Sequence, residues 1–120
     1  MRVAFAHNYG CCGRLSGLLF QRSCDIGLGL PFNLFAAALM LRMLAQQCDL
    51  EPGELVWFGG DVHVYRNHEP LVRAQLARTP KGVPKLRIRR RPSSIFAYEI
   101  GDFEVYDYDP APAIAAPVAV

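Results

Sequence analysis

The chain has 120 residues, of which 52% are hydrophobic and 20% charged, a balance that excludes a disordered chain and predicts a single domain over 1–120. A formal net charge of +2 gives no electrostatic case for a specific nucleic-acid-binding protein. Arg42 interrupts the best apolar run, so no bilayer-spanning segment is expected, and MRVAFAHNYGCC lacks the signal-peptide pattern; cytoplasmic localisation is the default. Cys11, Cys12, Cys24 and Cys48 contain no C-x-x-C pair, so free thiols and no metal site are expected.

In chain order, Val3 to Tyr9 reads as a weak strand. Gly10-Cys11-Cys12-Gly13 reads as a hairpin turn, and Arg14 to Arg22 as the return strand. GLGLPFN reads as a loop, with Pro31 suited to a first helical turn. Asn33 to Cys48 is the clearest helix, with Leu34, Ala38, Leu41, Ala45 and Cys48 on one face. After a turn at Glu51-Pro52-Gly53-Glu54, Leu55 to Phe58 reads as a buried strand that Asp61 to Tyr65 either continues or leaves.

Asn67 is a candidate cap for a second helix, with Glu69 and Pro70 in its first turn and Val72, Gln75, Leu76 and Thr79 at helical spacing. Lys85 to Arg89 alternates as a strand with one basic face, and Phe103, Val105 and Tyr106 suggest a last strand. The Arg87–Arg91 run is read as that strand's solvent face entering a turn at Pro92, not as a nucleic-acid patch. DPAPAIAAPVAV should be extended and mobile. The class is α/β or α+β with a mixed β-sheet and packed helices.

Three short motifs bear chemistry. In Gln21-Arg22-Ser23-Cys24-Asp25, a guanidinium fork beside a hydroxyl suits a phosphate, and the carboxylate could position a proton or water. On its own this pentapeptide is a solvated strand end. In Leu28-Gly29-Leu30-Pro31-Phe32-Asn33, the Asn33 amide offers the donor and acceptor that the edge of uracil needs; a helix cap is the bland alternative. In Gly59-Gly60-Asp61-Val62-His63-Val64-Tyr65, His63 and Tyr65 lie two apart and would share one face of a strand, where they could hold one sugar hydroxyl. A satisfied buried histidine is the alternative there, and a metal at Asp61 and His63 finds no further ligands at suitable spacing.

In this order and at these separations, QRSCD, LGLPFN and GGDVHVY resemble the thymidylate synthase family. The likeness continues through WFGGDVHVYRNH, VPKLRIRR and FEVYDYDPAPAI, and covers Gln21 to Val120 without evident insertion. The resemblance implies methylation of dUMP to dTMP with methylenetetrahydrofolate. It assigns Gln21, Arg22, Ser23, Cys24, Asp25, Asn33, His63, Val64 and Tyr65 to the substrate. Within that set Arg22 and Ser23 hold phosphate, Asn33 the pyrimidine, and His63 and Tyr65 the deoxyribose hydroxyl. Asp25, Gly29, Ala119 and Val120 go to folate, the last two in a tail that closes over it. The family's fold implies a homodimer with sheets packed back to back, or association with a longer homologue. Deoxycytidylate hydroxymethylase is a related alternative, but an aspartate is expected there where Asn33 stands.

The family's nucleophile is a cysteine in a Pro-Cys-His tripeptide upstream of QRS. The family's spacing places Arg2 at that position, between Met1 and Val3, so no catalytic nucleophile is expected in this chain. Cys11 and Cys12 fall at the predicted hairpin tip, and alternation turns Cys24 away from Ser23 and Asp25 as a small buried hydrophobe. The family's N-terminal part, with further phosphate-binding arginines and part of the folate pocket, is also expected to be missing. A truncated reading frame, a fragment or a noncatalytic remnant would look like this, and little or no turnover is expected from the isolated chain.

Overall fold

A computed structural model describes the backbone of residues 2–7 and the whole of residues 13–118. Most of the predicted hairpin tip, with Cys11 and Cys12, and the terminal Ala119 and Val120 lie outside the described residues. The chain divides into two units, Met1–Val64 and Tyr65–Val120.

The first unit holds β1 (Arg2–His7), β2 (Arg14–Asp25), α1 (Gly29–Gln47) and β3 (Glu51–His63). Its sheet runs β1-β2-β3, with β1 antiparallel and β3 parallel to β2, so it is mixed as expected. Gly13 enters β2 at φ 63°, a backbone conformation that costs glycine nothing. The first part of β2 alternates strictly: Leu15, Gly17, Leu19 and Gln21 are buried, while Leu18 and Phe20 face out. The inward stripe meets α1, and Leu15, Leu41 and Ala45 form a core that Leu44, Leu50 and Leu55 extend.

Helix α1 begins earlier than Asn33, absorbing most of the segment read as a loop. The Asp25 carboxylate explains the early start. Its Oδ1 accepts from Gly27 N–H at 2.9 Å and its Oδ2 from Leu28 N–H at 3.2 Å, so donors just ahead of the helix are satisfied without a side chain at the cap itself. Pro31 then sits in the first turn, where its missing N–H costs nothing. The buried stripe is Ala37, Leu41 and Ala45, one position off the predicted Ala38, and Cys48 is exposed. The helix closes with Asp49 at φ 54° and with Leu50 N–H on the Ala45 carbonyl at 2.9 Å, folding Leu50 back onto the core.

Two expectations need correcting here. Arg42 does not deprive α1 of spanning length: the helix has 19 residues at mean hydropathy 1.2, apolar and long enough to cross a bilayer by composition alone. One face of it is packed on the core, and the remainder of the helix is half-buried or exposed. Nor is Leu55–Phe58 a strand buried on both faces. β3 alternates, leaving Val56 and Phe58 more than half exposed, because only one face meets α1. The strand also takes in Glu51-Pro52-Gly53, read as a turn. Pro52 is tolerated on an edge strand, and a register shift between Leu15 and Gly17 accommodates the irregularity.

The second unit begins with a 3-10 turn at Arg66–His68 that runs into α2 (Glu69–Leu76), with Pro70 in its first turn. Asn67 lies inside the 3-10 turn, where it does not cap α2, and the helix stops before Thr79. β4 (Lys85–Ile88) and β5 (Phe103–Tyr106) pair antiparallel. Leu86 and Ile88 are half-buried and the basic side chains exposed, as the alternation predicts. The basic face is neutralised along its length: Lys85 pairs with Asp107, Arg87 and Arg89 with Glu104, and Arg90 grips Asp102 through two 2.7 Å bonds. Beyond β5 the tail is extended, but it is tied down by Lys81 to Asp109, Arg78 to the Pro112 carbonyl and His68 to the Pro117 carbonyl. Residue composition conveys the extension but not these ties.

Candidate functional site

The first unit gathers several motif residues at the C-terminal end of β2. Ser23 pairs with Asp61 and Asp25 with His63 across the parallel ladder, and Ile26 N–H on the His63 carbonyl at 3.0 Å ends it. Ser23 and Asp25 therefore share a face of β2 with Asp61 and His63 beside them on β3. The chain then turns into α1, one turn of which carries Asn33 back toward Asp25. The two meet at Gly29: a methyl there would lie 3.7 Å from Asp25 Cβ and 3.8 Å from Asn33 Nδ2. The Asp25 carboxylate and the Asn33 amide thus flank Gly29 at the start of α1, with Ser23 and His63 on the adjoining strand ends. His63 Nδ1 lies 3.3 Å from the Asp61 carbonyl and 3.6 Å from its carboxylate.

Other motif residues fall elsewhere. Strand alternation sets Arg22 opposite Ser23 and Asp25; both Arg22 and Ser23 are exposed. Gln21 is almost fully buried, and its Oε1 accepts from Trp57 Nε1 at 2.7 Å, bracing β2 against β3. Its pairing with Trp57 left no signal in either motif. Val64 ends the first unit and Tyr65 opens the second, both exposed. Asn33 lies inside α1, which removes the helix-cap alternative. Cys24 is 1% exposed, the small buried thiol that its alternation suggested. Burial, with a smaller contribution from the Asp25 charge, pushes its pKa up, away from the thiolate a nucleophile needs. Among the described residues no group of three His, Cys, Asp or Glu is placed to hold a metal ion.

Comparison with known proteins decides what this arrangement descends from. The sequence pattern of the family described as thymidylate synthase matches residues 1–120. The chain belongs to that family. A thymidylate synthase of Novosphingobium aromaticivorans is 66% identical over 107 residues, which cover 89% of this chain and 34% of the relative. Those of Sphingopyxis alaskensis and Rhizorhabdus wittichii are 63% and 60% identical over 108 residues, each match covering 90% of this chain and 35% of the relative. The chain therefore spans about a third of the length of the curated relatives it matches.

Within the thymidylate synthase pattern, the resemblance set Arg2 where the nucleophilic cysteine is expected. The backbone of Arg2 lies in β1, paired with Phe20. No residue of the Ser23–His63 cluster is a thiol or an amine that could take over that role, and Cys24 is sealed by burial.

Proposed function

We propose that residues 1–120 are the C-terminal part of one thymidylate synthase-like domain, carrying most of its dUMP-binding groups and part of its folate-binding groups. The observation that carries this reading is the meeting of Asp25, Gly29 and Asn33 at the start of α1, with His63 next to Asp25 in the ladder. In this reading Ser23 gives the nucleotide phosphate a hydroxyl donor, and Arg22, based on the opposite face of β2, reaches the same phosphate only by wrapping its long side chain around the strand. The Asn33 amide reads the pyrimidine edge with one donor and one acceptor. His63 and Tyr65 bind the deoxyribose hydroxyl, and Val64 between them contributes backbone. Asp25, Gly29, Ala119 and Val120 line the folate side, with methylenetetrahydrofolate as cosubstrate and one-carbon donor. The setting we assign is the cytoplasm.

The family's reaction begins with a thiolate adding to the pyrimidine ring. With Arg2 at that position this chain has no group to add, because a guanidinium stays protonated at neutral pH. Binding groups alone position a substrate without lowering the barrier to the covalent step. The isolated chain is therefore a binding element that does not turn over. The expected result is no dihydrofolate formed from dUMP and methylenetetrahydrofolate, and no covalent adduct with a fluorinated dUMP by mass spectrometry. For binding, calorimetry should give preference for dUMP over dCMP, and Asn33→Asp should erode it; an unchanged ratio would remove Asn33 from the role.

A second reading, a noncatalytic dimerisation element, has its own observation. Leu18 pairs with Val56 and Phe20 with Phe58 on the sheet face away from α1, and the two phenyl rings stack at 5.7 Å. These four side chains are 38–58% exposed, an apolar patch suited to a second copy or a longer homologue. A monodisperse monomer by light scattering would count against it.

A further inference from the structure

The tail has no regular structure, yet one of its ties ends on a fully buried side chain. His68, in the 3-10 turn before α2, is 0% exposed. Its Nε2 lies 2.7 Å from the Pro117 carbonyl oxygen. A carbonyl can only accept, so Nε2 carries the proton and donates. The other face of the arrangement is Tyr65. Its ring meets the imidazole edge-on, with centroids 5.7 Å apart and planes at 80°, and its carbonyl accepts from His68 N–H at 2.9 Å. The remaining ties, Lys81 to Asp109 and Arg78 to the Pro112 carbonyl, lie at the surface, where solvent weakens them. The bond from the buried imidazole is the one that is costly to leave unmade, because its donor has no access to water.

We propose that His68 is a positioning residue that fixes the C-terminal segment at Pro117 and couples it to Tyr65. The coupling rests on the reading above, in which Tyr65 holds the deoxyribose and the chain's end closes over folate. A nucleotide that immobilises the Tyr65 ring then also steadies the His68 edge packed on it. The carbonyl that edge holds lies just ahead of the folate-contacting end. One imidazole thereby links the nucleotide side of the site to the folate side, without touching either ligand.

The test needs no ligand, so it separates this proposal from the nucleotide reading. Amide hydrogen exchange of the full 120-residue chain is followed at Ala113–Val118 and, as an internal control, across β4 and β5. His68→Phe keeps a ring against Tyr65 but removes the donor. It should speed exchange at Ala113–Val118 by about fivefold or more, the scale of one net hydrogen bond, while β4 and β5 stay unchanged. His68→Gln restores an N–H donor and should recover part of the protection. Tyr65→Leu should loosen the same segment. Unchanged tail exchange in His68→Phe would overturn the clasp, and unchanged exchange in Tyr65→Leu would overturn the coupling. If His68→Phe does not fold, wild-type His68 decides. Truncation after Ala116 removes the acceptor, and the His68 Nε2 proton, seen by NMR, should then exchange about tenfold faster. An unchanged rate overturns the proposal. A clasp that behaves as expected in a chain that binds no dUMP would leave the clasp standing and remove the nucleotide reading.

Discussion

Trp57 Nε1 donates to Gln21 Oε1 across 2.7 Å, joining β2 to β3 by a side-chain bond on the face that meets α1. Gln21→Leu should leave the indole N–H without an acceptor and cost about 1–3 kcal/mol. Trp57→Phe should leave the amide carbonyl unsatisfied at a similar cost. The double variant should lose less than the sum of the two, since both polar partners are gone together. Urea unfolding of the four proteins gives the cycle; strict additivity would mean the bond contributes nothing.

Gly29 and Gly59 should respond oppositely to alanine. A methyl at Gly59 would press on Val62 and on the Trp57 ring at 2.6 Å, so Gly59→Ala should destabilise by about 1–3 kcal/mol. A methyl at Gly29 finds ordinary contact distances and a helical backbone, so Gly29→Ala should keep or slightly raise stability. The same methyl stands between Asp25 and Asn33, and in the proposed reading it should weaken folate binding. Thermal melts check the first pair of outcomes, and ligand titration the second.

Cys24 and Cys48 should differ in reactivity. Burial raises the Cys24 pKa, whereas Cys48 is exposed at the end of α1. With iodoacetamide near pH 8, Cys48 should be alkylated at least about tenfold faster, since only accessible thiolate reacts. Peptide mass spectrometry at timed intervals reads this directly. Equal rates would reopen Cys24 as a substitute nucleophile.

The acid limb of stability should depend on Asp102. Arg90 hydrogen-bonds its carboxylate and holds its pKa below the usual value, with help from Glu99 N–H. Arg89 lowers that of Glu104 in the same way. A depressed folded-state pKa contributes stability above the unfolded value, about 3.9 for aspartate, that is lost as pH falls through the folded value. Melting temperature should therefore drop below about pH 4. Asp102→Asn should lower it at neutral pH and flatten the acid limb. A variant with an unshifted acid limb would show that the pair adds nothing.

Where a local pattern decided the structure, the sequence was readable. The alternation of Arg14–Arg22 and Lys85–Arg89 became β2 and β4 because one face of each meets apolar neighbours. The start of α1 was not readable, since glycines and a proline look like breakers unless the Asp25 carboxylate is known to hold Gly27 and Leu28. The reach of β3 was hidden for a similar reason: Pro52 and Gly53 are turn residues that an irregular edge pairing admits. Within the site, motif order conveyed ancestry, whereas the shared strand face that the spacing of His63 and Tyr65 suggests is not formed, because Tyr65 lies beyond β3. Spacing did not convey that β3 ends at His63, before Tyr65, nor that Gln21 and His68 make their bonds far along the chain.

The pairing of β2 with β3 is parallel, with α1 as the connection between them. The loop-closure cost falls mainly on the first rung to form, and later rungs add without a comparable new penalty. Ser23–Asp61 and Asp25–His63 are the final rungs at one end, followed by Ile26 N–H on the His63 carbonyl. Ends of ladders open most easily, so the cluster bordering Gly29 should belong to the least protected part of the sheet. A molecule bound there would act as a splint: its stabilisation would be felt first at the terminal rungs, and only through them by the core at Leu15 and Leu41.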